Sequence, residues 1–124
     1  MTTAFWCLFI TMFLPVVCAG ISKAGGQGYD NAQPRQWLAQ QEGFRARALA
    51  AQQNSWEALL LFSIAILVAH VILGPSDSVN QMAVGFVVAR LAYISAYVAN
   101  WAMVRTLVWL VGFLLTISIF AAAY

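Results

Sequence analysis

Arg47, Asn54, Glu57, Arg90 and Arg105 lie inside or at the edges of long apolar runs, in a chain of which only 8% is charged. An ionisable side chain in hydrocarbon costs roughly 2.5–3.5 kcal/mol even on the lenient insertion scale, so such groups face a partner, a ligand or a water-filled cleft. Two or three guanidinium groups share this region with one carboxylate, Glu57. The excess cations suit an anionic ligand, held by bidentate hydrogen bonds. Internal ion pairs and hydrogen bonds that tie helices together are the bland alternative, because lipid gives little hydrophobic drive between them.

The elements that position these residues follow from composition. The 124 residues are 63% hydrophobic and the mean hydropathy is +0.81, well above a soluble domain. A membrane helix needs about 20 apolar residues, so the length allows about four spans and no separate soluble domain. The expected fold is all-α and integral to the membrane: a four-transmembrane-helix bundle with spans at 3–21, 44–73, 79–101 and 105–123.

The first apolar stretch contains Pro15 as a candidate kink. It reads as an uncleaved helix rather than a secretory signal, despite Val17-Cys18-Ala19, because no Lys or Arg precedes it and Lys23 follows. Ser22 to Gln33, with Gly25-Gly26-Gln27-Gly28, reads as a loop. Pro34 suits the first turn of a new helix, and up to Leu73 only Gly43 interrupts it. Gly74-Pro75 ends that helix, and Ser76-Asp77-Ser78 opens the third. A connection near Ala102 to Val104 leads to the fourth.

Lys23, Arg35, Arg45 and Arg47 cluster between the first and second spans and Arg105 lies between the third and fourth, whereas the second connection carries only Asp77. The positive-inside rule then places both termini outside and the long loop in the cytoplasm, with an inner bacterial membrane as the setting. The net charge of +2 is small and the basic residues form no run, so nucleic acid is excluded as a partner. Cys7 and Cys18 form no CxxC pair and read as packing residues. His70 has no companion ligand and reads as a neutral, hydrogen-bonded packing residue; no metal motif is present. Trp6, Trp37, Trp56, Trp101 and Tyr124 fall near span ends as interfacial anchors, and Asp30 and Glu42 read as solvated.

At about 100° per residue, Asn54 lies roughly 20° from Arg47 and Glu57 about 80° from it, so all three line one groove. Arg90, Tyr93 and Tyr97 follow i, i+3, i+7 spacing, and Trp101 returns within roughly 20° of Arg90. Arg105 and Trp109 form an i, i+4 pair opening the fourth span. Glu57 is expected to pair with Arg90 or Arg105.

The stretch RARALAAQQNSWEALLLF (Arg45 to Phe62), with RLAYISAYV (Arg90 to Val98) and RTLVW (Arg105 to Trp109), resembles the MAPEG family, the membrane-associated proteins in eicosanoid and glutathione metabolism, and its bacterial members in particular. The match runs from about Pro34 to Trp109. It implies a homotrimer of four-helix subunits, with glutathione as co-substrate between neighbours near the cytoplasmic side. Asn54 and Glu57 match the family's Asn-x-x-Glu pair, with Glu57 receiving the ammonium or orienting an Arg. Arg90 and Tyr97 match the third-helix pair, Arg90 braced against Glu57 and Tyr97 on the peptide. Arg105 and Thr106 match the Arg-Ser/Thr pair that stabilises the thiolate, the reactive form of a thiol whose pKa near 8.5 leaves it mostly protonated. Tyr93 and Trp109 stand where some relatives have His and Tyr. Many catalytic relatives carry Arg-Ala-His-x-Asn-x-x-Glu; here the Arg and His positions are Ala50 and Gln52, and Arg47 one turn earlier is the cation available for a carboxylate.

The implied function is a glutathione-dependent transferase or peroxidase acting on lipophilic electrophiles or hydroperoxides that arrive from membrane lipid. Two alternatives are a non-catalytic protein of the same fold that binds another lipophilic anion, which Ala50 and Gln52 favour, and a small four-span exporter using Glu57. Arg90 and Arg105 oppose the exporter, since they repel a cationic cargo.

Overall fold

The computed structural model describes residues 1–124 and contains five helices: α1 (Thr3–Lys23), α2 (Pro34–Ala39), α3 (Phe44–Leu73), α4 (Asp77–Val98) and α5 (Ala102–Ala121). All but α2 are long and apolar enough to cross a membrane. They run up and down in succession. The start of α1 meets the end of α3 and the start of α4, where Thr2 Oγ1 lies 2.9 Å from His70 Nε2 and the Ala4 amide donates to Asn80 Oδ1 at 2.9 Å.

His70 carries out the packing role expected of it. Its Nδ1 lies 2.9 Å from the Ile66 carbonyl, which can only accept. The proton therefore sits on Nδ1, and Nε2 accepts from the Thr2 hydroxyl, which in turn accepts from the Phe5 amide at 3.3 Å as the α1 cap. Phe5 covers the imidazole at 4.1 Å. One side chain thus fastens two helix ends.

α1 packs chiefly on α3, α5 chiefly on α4, and α4 also meets α1 and α3. Small residues make the close approaches: Ala4, Ala48, Ala51, Ala65, Ala69 and Ala83 are all essentially buried. The Phe62 and Phe86 rings stack between α3 and α4 at 3.9 Å and 10°. Thr11 and Thr116 turn their hydroxyls back to Cys7 and Gly112 carbonyls one turn earlier, so neither exposes a polar atom to its apolar surroundings. The outward faces carry Leu60, Leu67, Val71, Leu107 and Leu114, as a bilayer requires. α4 is the least apolar of the four, with mean hydropathy 1.4 against 2.2, 2.3 and 2.0, and it is also the most enclosed.

The helical stretch from Pro34 to Leu73 is broken at Gly43, the one residue in it expected to interrupt it. Gly43 takes φ +64, a left-handed conformation that carries no Cβ penalty only in glycine, and α3 starts after it. α2 folds back through Trp37, which is buried, donates from Nε1 to the Gln27 carbonyl at 3.0 Å and meets the Tyr29 ring edge-on at 5.1 Å. Trp37 is therefore a loop core residue rather than a free interfacial anchor. Its ring leaves no room for a Cβ at Gly26. Arg45 closes the loop by donating from Nε and Nη2 to the Ala24 carbonyl at 3.1 and 2.9 Å.

The last connection sits three residues earlier than the expected boundary between 79–101 and 105–123. Asn100 has φ 63, the only non-glycine residue with a positive φ. Its amide donates to Tyr97 at 3.1 Å and the Trp101 amide donates to Ala96 at 2.8 Å, which terminates α4 at Val98. Hydropathy runs unbroken through this point, so the signal was a single Asn able to adopt the left-handed conformation. As a result Trp101 leaves the face of Arg90, and Arg105 lies a turn inside α5.

Candidate functional site

The register of α3 against α4 is fastened where the start of α3 meets the end of α4. Arg47 donates from Nε and Nη2 to the Val98 carbonyl at 3.2 and 3.1 Å, satisfying an acceptor left free by the end of α4. With a rise of about 1.5 Å per residue, Glu57 then lies about 15 Å and Arg90 about 12 Å into the bundle from that contact, with Arg105 shallower. This brings α3, α4 and α5 around two adjoining hollows.

The deeper hollow, about 110 Å³, is lined by Asn54 and Glu57 from α3, Phe86 and Arg90 from α4, and Trp109 and Gly112 from α5, among others. The shallower one, about 250 Å³, is lined by Asn54, Tyr93, Tyr97, Arg105, Thr106 and Trp109. Asn54 and Trp109 belong to both. Of the sequence-derived candidates, eight of nine therefore converge. Arg47 is the exception: its guanidinium is committed to the end of α4 and borders neither hollow.

The two cations are arranged without acids. Arg90, only 2% exposed, donates from Nη2 to Ser55 Oγ at 3.2 Å and lies over the Tyr93 ring at 4.1 Å. Arg105 lies over the Tyr97 ring at 4.5 Å, and the two phenols meet edge to face at 5.7 Å and 84°. The order Arg90, Tyr93, Tyr97, Arg105 is a ladder of cation and ring contacts, each worth roughly 0.5–2 kcal/mol depending on desolvation. The expected ion pair of Glu57 with Arg90 or Arg105 does not form within the subunit: no carboxylate comes within 4.0 Å of either guanidinium. Glu57 is instead exposed along the side of α3. In a membrane that position demands cover, since a bare carboxylate facing lipid is costly.

Asn54 Oδ1 is buried at the junction of the hollows and has no donor. An unsatisfied buried acceptor costs about 1–3 kcal/mol, a deficit that a ligand donor removes. Gln52 Oε1 is also buried without a donor, away from both hollows. Thr106 Oγ1 donates to the Ala102 carbonyl at 3.1 Å, so its proton is committed to the helix and only its lone pairs face the hollow. Trp109 stacks on Phe113 at 5.4 Å and 5°, which holds the indole against the cleft.

Ser55 and Gly112 were not singled out by sequence reading. Ser55 is the sole small polar residue between Asn54 and Glu57, and only the α4 register shows that it meets Arg90. Gly112 is the one glycine of α5, and a Cβ there would touch Phe86, Ala89 and the Arg90 stem at 3.8–3.9 Å. Cys7 and Cys18 are free and buried, as packing residues.

The polar hollows, the four apolar helices and the motif residues that line them coincide with one family comparison: the MAPEG family model matches residues 1–124, the whole chain. No curated protein and no solved structure matches it. The chain is an integral membrane protein and belongs to the MAPEG family.

Proposed function

We propose that this protein is a membrane-embedded glutathione-dependent transferase or peroxidase that works as a homotrimer, with the adjoining hollows as the thiol site. The observation that carries the reading is the charge layout. Two guanidiniums held by neutral partners keep their full positive charge, Glu57 has no cation of its own, and Asn54 offers an orphan acceptor. Glutathione presents the complementary set: two carboxylates for Arg90 and Arg105, an ammonium for Glu57 and an amide donor for Asn54.

Glu57 supports the assembly as well. Its exposure on one subunit, next to Trp56 at 51% exposed, is removed when a neighbour packs on that side of α3. The basic residues around the 24–43 connection support a cytoplasmic location for that end of the bundle, where glutathione is abundant, with both termini outside.

In this reading Arg105, rather than Thr106, lowers the thiol pKa, since the Thr106 proton is already given to Ala102. The guanidinium over Tyr97 stabilises the thiolate, which attacks the electrophilic carbon of a lipophilic substrate and expels its leaving group. With a hydroperoxide it attacks the distal oxygen, and a second glutathione thiol completes reduction to alcohol, water and disulfide. Trp109 and Phe113 form the apolar wall on the lipid side.

Calorimetric titration of the detergent-solubilised protein with glutathione tests the reading. Saturable binding below millimolar concentration, weakened by Arg105→Ala and by Glu57→Ala, is expected. Absence of binding sinks it. Binding without turnover of a chlorodinitrobenzene reporter favours the non-catalytic alternative, for which Ala50 and Gln52 speak. Resistance to quaternary amines abolished by Glu57→Gln would instead establish the exporter.

A further inference from the structure

Arg90 is the most enclosed charge in the molecule, and its neighbours explain how a membrane helix tolerates it. Ser55, itself 1% exposed, accepts from Nη2 at 3.2 Å on one side, and the Tyr93 ring covers the guanidinium at 4.1 Å on the other. Cys18 of α1 packs beside Tyr93 in the same buried cluster, so the cluster joins three helices. The contact is also a rung of the α3–α4 register: Ser55 follows Arg47 by eight residues, and Arg90 precedes Val98 by eight.

The chemistry of this brace differs from that of a carboxylate. A carboxylate takes two guanidinium donors and cancels the charge. A hydroxyl takes one, leaving the charge intact and further donors for the hollow that Arg90 lines. It also leaves Glu57 uncommitted.

We infer that Ser55 is the positioning residue of Arg90, holding the guanidinium against Tyr93 with its charge unneutralised, so that Arg90 serves an anionic group of the ligand and Glu57 a cationic one. The inference rests on the hollows being the glutathione site. Ser55 touches no ligand in this role; it acts through Arg90.

Two measurements on the detergent-purified full-length protein test it. Without ligand, the Arg90 guanidinium signal in arginine-labelled protein, assigned by its loss in Arg90→Lys, is read by nuclear magnetic resonance. A resolved, slowly exchanging signal is expected in the wild type, averaged in Ser55→Ala and restored in Ser55→Thr. With ligand, Ser55→Ala raises the glutathione Kd about tenfold, Ser55→Thr returns it to within about twofold, and the effects of Ser55→Ala and Glu57→Gln multiply independently. An unchanged Arg90 signal in Ser55→Ala overturns the inference, as does a lowered melting temperature with unchanged Kd, which marks a purely structural serine. If the wild type binds no glutathione while the signal responds as expected, the glutathione reading fails and the brace stands.

Discussion

Arg47 on α3 and Val98 at the end of α4 are joined by two hydrogen bonds from one guanidinium to one carbonyl, at 3.2 and 3.1 Å. The contact places a cation at the negative end of a helix and locks the register that aligns Ser55 with Arg90. A residue that reads as a ligand contact thereby becomes a fastening.

Arg47→Ala is expected to lower stability by about 1.5–3 kcal/mol, the range for a hydrogen bond from a charged group. Arg47→Lys recovers part of this, because a single ammonium cannot reproduce the fork. Thermal melting measures both variants. If Arg47→Ala leaves the melting temperature unchanged and instead abolishes glutathione binding, Arg47 belongs to the site after all.

Arg105 and Thr106 are predicted to separate. With the hollows as the proposed thiol site, Arg105→Ala is expected to lower kcat/KM about 10- to 100-fold, roughly 1.5–3 kcal/mol for one lost charged contact. Thr106→Val costs less than about threefold, since the hydroxyl proton is spent on Ala102. Steady-state kinetics with a chlorodinitrobenzene reporter decide between them, and the reverse order would make the hydroxyl the thiolate donor.

Gly26 faces the Trp37 ring with no space for a Cβ. Gly26→Ala should displace the indole, break its bond to Gln27 and red-shift tryptophan emission. Gly43→Ala meets open space and keeps only the strain of a positive φ, roughly 1–3 kcal/mol, with emission unmoved. Equal spectra for the two variants would contradict this arrangement of the loop.

His70→Ala removes two hydrogen bonds and the Phe5 contact at the end of the bundle far from the hollows. A loss of about 1–3 kcal/mol is expected, with glutathione affinity intact. A comparable loss of affinity would show that the two ends of the bundle are coupled.

Apolar run length made the four membrane helices legible, because a bilayer demands backbone bonds satisfied within each span. Motif spacing identified much of the lining of the hollows, since Asn54 with Glu57 and Arg90 with Tyr93 and Tyr97 fall on single helix faces whatever the helices pack against. The break before α3 was marked by Gly43, whereas the end of α4 was harder to read: it turns on Asn100 adopting a positive φ, which hydropathy does not register.

Sequence by itself therefore determined the membrane class, the family and most of the side chains that face the hollows, all properties of local composition and helical period. Only the tertiary structure decided the partners. Arg90 rests on Ser55 and Tyr93 instead of Glu57, and Arg47 caps Val98 instead of lining the hollows. The reason is that a periodic pattern fixes the direction of a side chain about its own helix, whereas its neighbour depends on the axial register between helices, here set by the fold of the connection between α4 and α5 and by the arginine that closes it.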